Sequence, residues 1–229
     1  MRIALCLCGI VGTDDKYGDG AKTINYKIGL KHFKDHVFDV NDNVDVFFHT
    51  WSTDYEERLV SAYNPILHKA EDQPFFSDVP RQQSIFCRWK GTKEVIDLVN
   101  QSGRDYDFIL LTRFDIAFLV DFEFEKYDNS KFYVQGPPGP PSNGLNLIND
   151  LWFFSDPEKM TKFSNLFDKL KTEKYLVHKD SNHELVRKHL FESGLHDKLE
   201  YKFLREWTGA PGKLSSDTPL VRWYYMNKV

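Results

Sequence analysis

Apolar residues fall along the first half of the chain in two alternating rhythms. Ile3 to Ile10, Val44 to Trp51 and Phe108 to Leu111 are short, nearly continuous apolar runs, the pattern of strands buried on both faces of a sheet. Between them the apolar positions recur at helical intervals. Tyr26, Leu30, Phe33 and Val37 predict a helix over about 23–37, and a second helix over about 54–63 is stopped by Asn64-Pro65. Ile85, Trp89, Ile96 and Val99 predict a long helix from Gln82 to Ser102, with Gly103 as its stop. Ile66 to Ala70 reads as a short strand, and Glu71 to Pro80, with two prolines and an exposed Phe75-Phe76, as a loop. Strand and helix thus alternate up to Phe118, which predicts a parallel sheet wrapped by helices through right-handed crossovers.

The second half is less regular. Phe122-Glu123-Phe124 and Lys131 to Gln135 predict strands of a smaller, partly antiparallel addition, and Asn149 to Ser155 leads into another apolar strand. The stretch Gly136 to Gly144 holds two Gly-Pro-Pro triplets, far too few for a collagen helix, and reads as an extended surface loop. Asp156 is placed to cap a helix with Pro157 at its first position and Met160, Phe163, Leu166, Phe167 and Leu170 on its inner face. A last helix starts near Ser181 and stops at Gly194. The aromatic tail, with Trp207, Arg222, Trp223, Tyr224 and Tyr225, is expected to pack on the domain. The fold class is therefore α/β: a Rossmann-like, mostly parallel sheet flanked by helices over 1–121, with a smaller mixed region over 122–229 in the same compact domain.

At 229 residues and 41% hydrophobic content the chain can bury a substantial core. A net charge of −4 argues against a general nucleic-acid binder. Cys6, Cys8 and Cys87 form neither a disulfide framework nor a zinc pattern; Cys6 and Cys8, two apart in a strand, read as small core residues facing one side. The apolar start is too short for a signal peptide and no apolar stretch reaches the roughly 18 residues of a membrane span, so the expectation is a soluble, cytoplasmic protein, in the host cytoplasm if viral.

Candidate chemistry gathers where strands end. Thr112, Arg113 and Asp115 follow directly on the Phe108 run, and ligands of open α/β sheets sit beyond the carboxyl ends of strands. Arg113 and Asp115 read either as handlers of a phosphate and a metal ion or as an ion pair closing the strand. Trp51 is placed to stack on a base or to fill the core. Arg81, Arg88 and Lys90 lie off the buried stripe of their helix, facing a phosphate or solvent. Asp150, beside the proline-glycine loop, is either a general base or the start of an Asx turn. His183-Glu184 is tempting, but Ser181 and Glu184 have capping-box spacing. No Walker loop, nucleophile elbow, zinc-protease helix or kinase signature occurs.

Cys8-Gly9-Ile10-Val11, the Asp45 to Trp51 strand, Tyr106 to Asp115 and Asn149 to Ser155 together resemble small nucleotide-sugar glycosyltransferases of the GT-A fold, of the bacterial and large-virus kind that build surface glycans. The resemblance implies transfer of a hexose or pentose from a UDP- or GDP-linked donor to a hydroxyl of a glycan or glycoprotein acceptor. It puts the nucleotide on Cys8, Gly9, Ile10, Val11, Thr50, Trp51 and Ser52, with Arg113 and Asp115 at the phosphates; Arg88, from its place on its helix, is the further candidate for a phosphate contact. It implies Mn²⁺ or Mg²⁺ at Asp115 and an inverting reaction with Asp150 as base. Arg113 stands where that family has the first carboxylate of its Asp-x-Asp motif, and an arginine can itself neutralise part of a diphosphate. The rival expectations are a sugar nucleotidyltransferase and a glycan-binding or assembly module on the same fold that lacks catalysis.

Overall fold

The computed structural model describes residues 1–11, 26–135, 148–172 and 181–202. The glycine-bearing stretch after the first strand, the Gly-Pro-Pro loop and the aromatic tail beyond Lys202 lie outside them. β1 (Ile3–Gly9), β2 (Val44–Thr50), β3 (Leu67–Ala70), β4 (Phe108–Thr112), β5 (Phe132–Gln135), β6 (Phe153–Ser155) and β7 (Leu199–Lys202) form one sheet in the order β3-β2-β1-β4-β6-β5-β7. The pairs β1/β2, β1/β4, β2/β3 and β5/β7 are parallel, while β6 is antiparallel to both β4 and β5. The expected α/β architecture, a mostly parallel sheet with a mixed region to one side, is the observed one, and a single sheet runs through both halves of the chain.

The crossovers decide the layers. From β1 the chain steps outward through α1 (Tyr26–Phe33) to β2 and through α2 (Glu56–Tyr63) to β3. It then returns across the sheet through α3 (Pro80–Gln101) to β4 on the other side of β1. Right-handed connections that reverse direction must place α3 on the opposite face from α1 and α2. The alternation within β1 records this. Ile3, Leu5 and Leu7 share a core with Tyr26, Phe33, Leu59 and Tyr63, whereas Ala4, Cys6 and Cys8 share the other with Ile85, Trp89, Ile96 and Val99. Cys6 and Cys8 do face one side, buried as predicted. The second core is closed by α4 (Pro157–Ser164), α5 (Leu166–Leu170) and α6 (Asn182–Glu192), through Phe163, Leu166, Phe167, Leu185 and Leu190.

Local signals act where expected. The Asp156 side chain accepts from the Lys159 N–H at 2.8 Å with Pro157 as the first helical residue, and Ser181 accepts from the Glu184 N–H at 3.3 Å. Gly103 adopts φ +66° and Asn64 φ +46°, left-handed stops for α3 and α2. Three elements differ from expectation. The first predicted helix continues past Phe33 as a π-helical turn, Lys34–Phe38. Phe122 to Phe124 is not a strand: it leads into a 3₁₀ turn, Phe124–Lys126, because Asn41 satisfies its backbone. Asn41 Nδ2 donates to the Phe122 carbonyl and Asn41 Oδ1 accepts from the Phe124 N–H, at 2.7 and 3.1 Å, so no neighbouring strand is needed. Of the predicted exposed pair, Phe75 is 73% exposed but Phe76 stacks on Phe86 and meets Phe167 edge-on.

Candidate functional site

The strand order reverses at β1: its neighbour on one side, β2, comes next in the chain, and its neighbour on the other, β4, comes last of the four parallel strands. Such a switch point opens a crevice beyond the carboxyl ends of the two strands that flank it. Here those ends are Cys8-Gly9 and Thr112-Arg113, with Gly9 level with Thr50 of β2 and Leu7 level with Thr112.

On the β2 side, hydrogen bonds tie the first loop to the second. Thr50 Oγ1 donates to the Gly9 carbonyl at 3.1 Å and the Trp51 N–H to the same carbonyl at 3.3 Å. Ser52 Oγ accepts from the Val11 N–H at 2.9 Å. Gly9 has φ +128°, open to glycine and strained for any other residue. Cys8, Gly9, Ile10, Val11, Thr50, Trp51 and Ser52 are thus one connected rim. Within it Trp51 is largely buried, its ring 4.3 Å from that of His49 and 5.0 Å from Lys90 Nζ. Trp152 lies fully inside the core against Phe122 and Phe154, so it offers no face to a sugar.

On the β4 side, Arg113 grips Asp115 side-on: Nε donates to Oδ1 at 2.7 Å and Nη2 to Oδ2 at 2.6 Å. Burial works against the guanidinium's charge, but Asp115, and less strongly Asp150 and Cys8, outweigh it and hold Arg113 firmly cationic. The two partners differ in access: the Arg113 side chain is 30% exposed and that of Asp115 only 7%.

The segment carrying Asp150 is pinned residue by residue. His183 Nδ1–H donates to the Ile148 carbonyl at 2.7 Å, Asn149 Nδ2 to Gln135 Oε1, Arg88 Nη2 to the Asp150 carbonyl at 3.1 Å and Thr112 Oγ1 to the Leu151 carbonyl at 3.2 Å. Arg88 therefore turns inward from α3. Its other terminal nitrogen, Nη1, lies 2.6 Å from Cys8 Sγ, while its buried Nε has no partner among the described residues. The Cys8 thiol in turn points to the Thr112 carbonyl at 3.7 Å. Arg88, Cys8, Thr112 and Asp150 are one cluster bridging β1, β4 and the segment before β6. Arg81 is exposed, and Lys90 bonds Glu71 and Glu94 instead of facing the crevice.

Beneath the rim lies a network that the sequence did not disclose. His49 Nε2–H donates to Glu71 at 3.1 Å, and Glu71 and Glu94 are both bridged by Lys69 and Lys90. Burial pushes the His49 pKa down to about 4 against the pull of Glu71, so the ring is neutral at pH 7 and its Nδ1 is an acceptor without a donor among the described residues. That nitrogen faces Gly91, where a Cβ would sit 3.1 Å away. A glycine inside a long helix was the available signal for such a close approach.

Among the described residues, no three His, Cys, Asp or Glu side chains converge to hold a metal ion. Asp115 is the sole carboxylate of its motif, and each of its oxygens accepts from Arg113. Two cavities of about 240 and 250 Å³ lie at the other, amino-terminal edge of the sheet. They are lined by Met1, Ile3, Asn41 and Glu123, and by Phe38, Val44, Asp45 and Tyr63, away from all of these groups. Among the described residues no helix is long and apolar enough to cross a membrane. No protein-family model matches the sequence, and no curated protein matches it.

Proposed function

We propose that the chain is a GT-A-like glycosyltransferase that moves a sugar from a nucleoside-diphosphate sugar to a hydroxyl of a glycan acceptor. One observation carries this reading: at the switch point a hydrogen-bonded rim, a forked arginine and a second carboxylate meet at the same edge of the sheet. Such an edge suits a ligand with a flat base, a charged diphosphate and a reacting centre beside it.

In this reading Gly9 to Val11 and Thr50 to Ser52 hold the nucleoside, and Arg113 meets the diphosphate. Asp150 takes the proton of the acceptor hydroxyl. The freed oxygen attacks the anomeric carbon, the bond from that carbon to the phosphate oxygen breaks, and the nucleoside diphosphate leaves with the bonding pair. Arg88 serves as a positioning residue: it touches the Asp150 backbone and keeps the carboxylate at a fixed height beside the crevice. A general base needs that fixity, because ångström displacements cost large factors in rate.

The test is thermal unfolding with UDP, GDP and their common sugar conjugates, followed by product analysis. A nucleotide at 100 times its dissociation constant adds about 2.7 kcal/mol of stability. For a chain of this length that is a rise of roughly 5–10 °C in Tm. Release of nucleoside diphosphate supports glycosyl transfer; release of pyrophosphate would assign a nucleotidyltransferase instead. Asp150→Asn should keep the Tm rise and lose turnover. The absence of a rise with every nucleotide would overturn the proposal.

A further inference from the structure

The unequal exposure of Arg113 and Asp115 says which of the two a ligand meets. The carboxylate lies behind, at 7% exposure, and the guanidinium in front, at 30%. The side-on fork engages Nε and Nη2 and leaves the Nη1 edge, with its two N–H donors, without an acceptor in the described structure. A carboxylate placed this way is an orienting group. It fixes the plane of the arginine and leaves donors in a fixed direction, the arrangement that suits an anion with paired oxygens.

Resting on the glycosyltransferase reading above, we propose that this site binds the donor's diphosphate directly through Arg113, with Asp115 as its positioning carboxylate and no divalent cation between them. Mg²⁺ and Mn²⁺ bind through carboxylate oxygens at close range, as hard cations in sites where negative charge is in excess. To reach Asp115 such an ion must compete with the fork for the oxygens of a carboxylate that is only 7% exposed, and sit against a fixed positive charge. The Arg113–Asp115 pair is neutral as a whole, so it offers no net charge in return. The next carboxylate, Asp150, lies close enough to Arg113 to reinforce its charge. Arg88, the second arginine at this edge, is spent on Cys8 and the Asp150 carbonyl. Among the described residues, the exposed positive charge presented to a ligand between β1 and β4 is therefore the cation at position 113.

Calorimetric titration of the full chain with UDP, GDP and inorganic pyrophosphate, each in EDTA and again with saturating Mn²⁺, tests this. The expected result is binding of equal affinity in the two conditions. Arg113→Lys keeps the charge and loses the fork, and should weaken binding on the order of ten-fold, the worth of one charge-assisted hydrogen bond. Because removing one partner of a packed ion pair can unfold the chain, the double variant Arg113→Met with Asp115→Asn removes both charges together. It should stay folded, as judged by circular dichroism, and lose pyrophosphate binding. Binding that appears only with Mn²⁺ and vanishes in Asp115→Asn would overturn the proposal while leaving the glycosyltransferase reading intact. Failure of all three probes in both conditions would overturn both.

Discussion

Replacing Gly29 by alanine adds one carbon at the tightest point between α1 and the site. A Cβ there would stand 2.3 Å from the Phe114 carbonyl oxygen and 3.4 Å from the Ile116 carbonyl oxygen. The obstacle is backbone, so no side-chain rotation relieves it, and the two chains must separate by about 1 Å to restore ordinary contact. Overpacking of this kind costs typically 1–3 kcal/mol, and a clash with a carbonyl belongs at the upper end. Alanine returns about 1 kcal/mol in helix propensity. The net expectation is a loss of roughly 1–2 kcal/mol, a fall of about 2–8 °C in Tm for a chain of this size. The position of the clash adds a second effect. Phe114 lies between Arg113 and Asp115, and its ring packs edge-on against Phe48 and Tyr63, so displacing its backbone tilts the fork. Nucleotide binding should therefore weaken by more than the stability loss alone produces when measured well below Tm. Urea denaturation and nucleotide titration of the same variant give both numbers. A Gly29→Ala protein as stable as wild type, or more so, would refute the close approach from which this is reasoned.

Other outcomes follow from single groups. His49 and His189 are buried with pKa values lowered to about 4, mainly by burial, so the unfolded chain binds protons that the native one refuses. Their contribution is fully present above about pH 6.5 and is lost as pH falls towards 4, on the order of 3 kcal/mol for each; denaturation curves from pH 7 to 4.5 should show this, and a flat profile would contradict it. Asp156→Ala removes the cap on α4 and should lower stability by about 1 kcal/mol, read as a shift in urea midpoint with unchanged slope. Arg88→Met leaves the Asp150 carbonyl without its donor and uncovers Cys8. The native protein should then lose turnover and expose one more thiol to slow alkylation than wild type does; unchanged labelling and turnover would remove Arg88 from its positioning role.

Nearly continuous apolar runs made β1, β2 and β4 legible, since strands buried on both faces carry few polar residues to blur them. The alternation of strand and helix then led to the parallel sheet. What escaped was wherever a side chain replaces a strand as the partner of the backbone. Phe122 to Phe124 alternates like a strand, yet Asn41, more than eighty residues away in sequence, takes its hydrogen bonds. The predicted strand from Asn149 shrinks to Phe153–Ser155 for the same reason: His183, Arg88 and Thr112 hold the preceding carbonyls. At the candidate site, residues at the strand ends do converge: Thr50 meets Gly9 and Ser52 meets Val11 across one edge of the sheet. That Arg88 turns inward was not readable, because its position on α3 is equally consistent with solvent.

The proposed site holds a diphosphate at the β1–β4 switch point through the arginine that follows β4. A crystal of the full chain grown with a UDP- or GDP-sugar in EDTA tests it most directly. The expected density has the phosphates within hydrogen-bond distance of Arg113 Nη1, the nucleoside along Gly9 to Val11 and Thr50 to Ser52, and the sugar carbon facing Asp150. Density for the nucleotide at the opposite edge of the sheet, or the phosphates on any group other than Arg113, would contradict it.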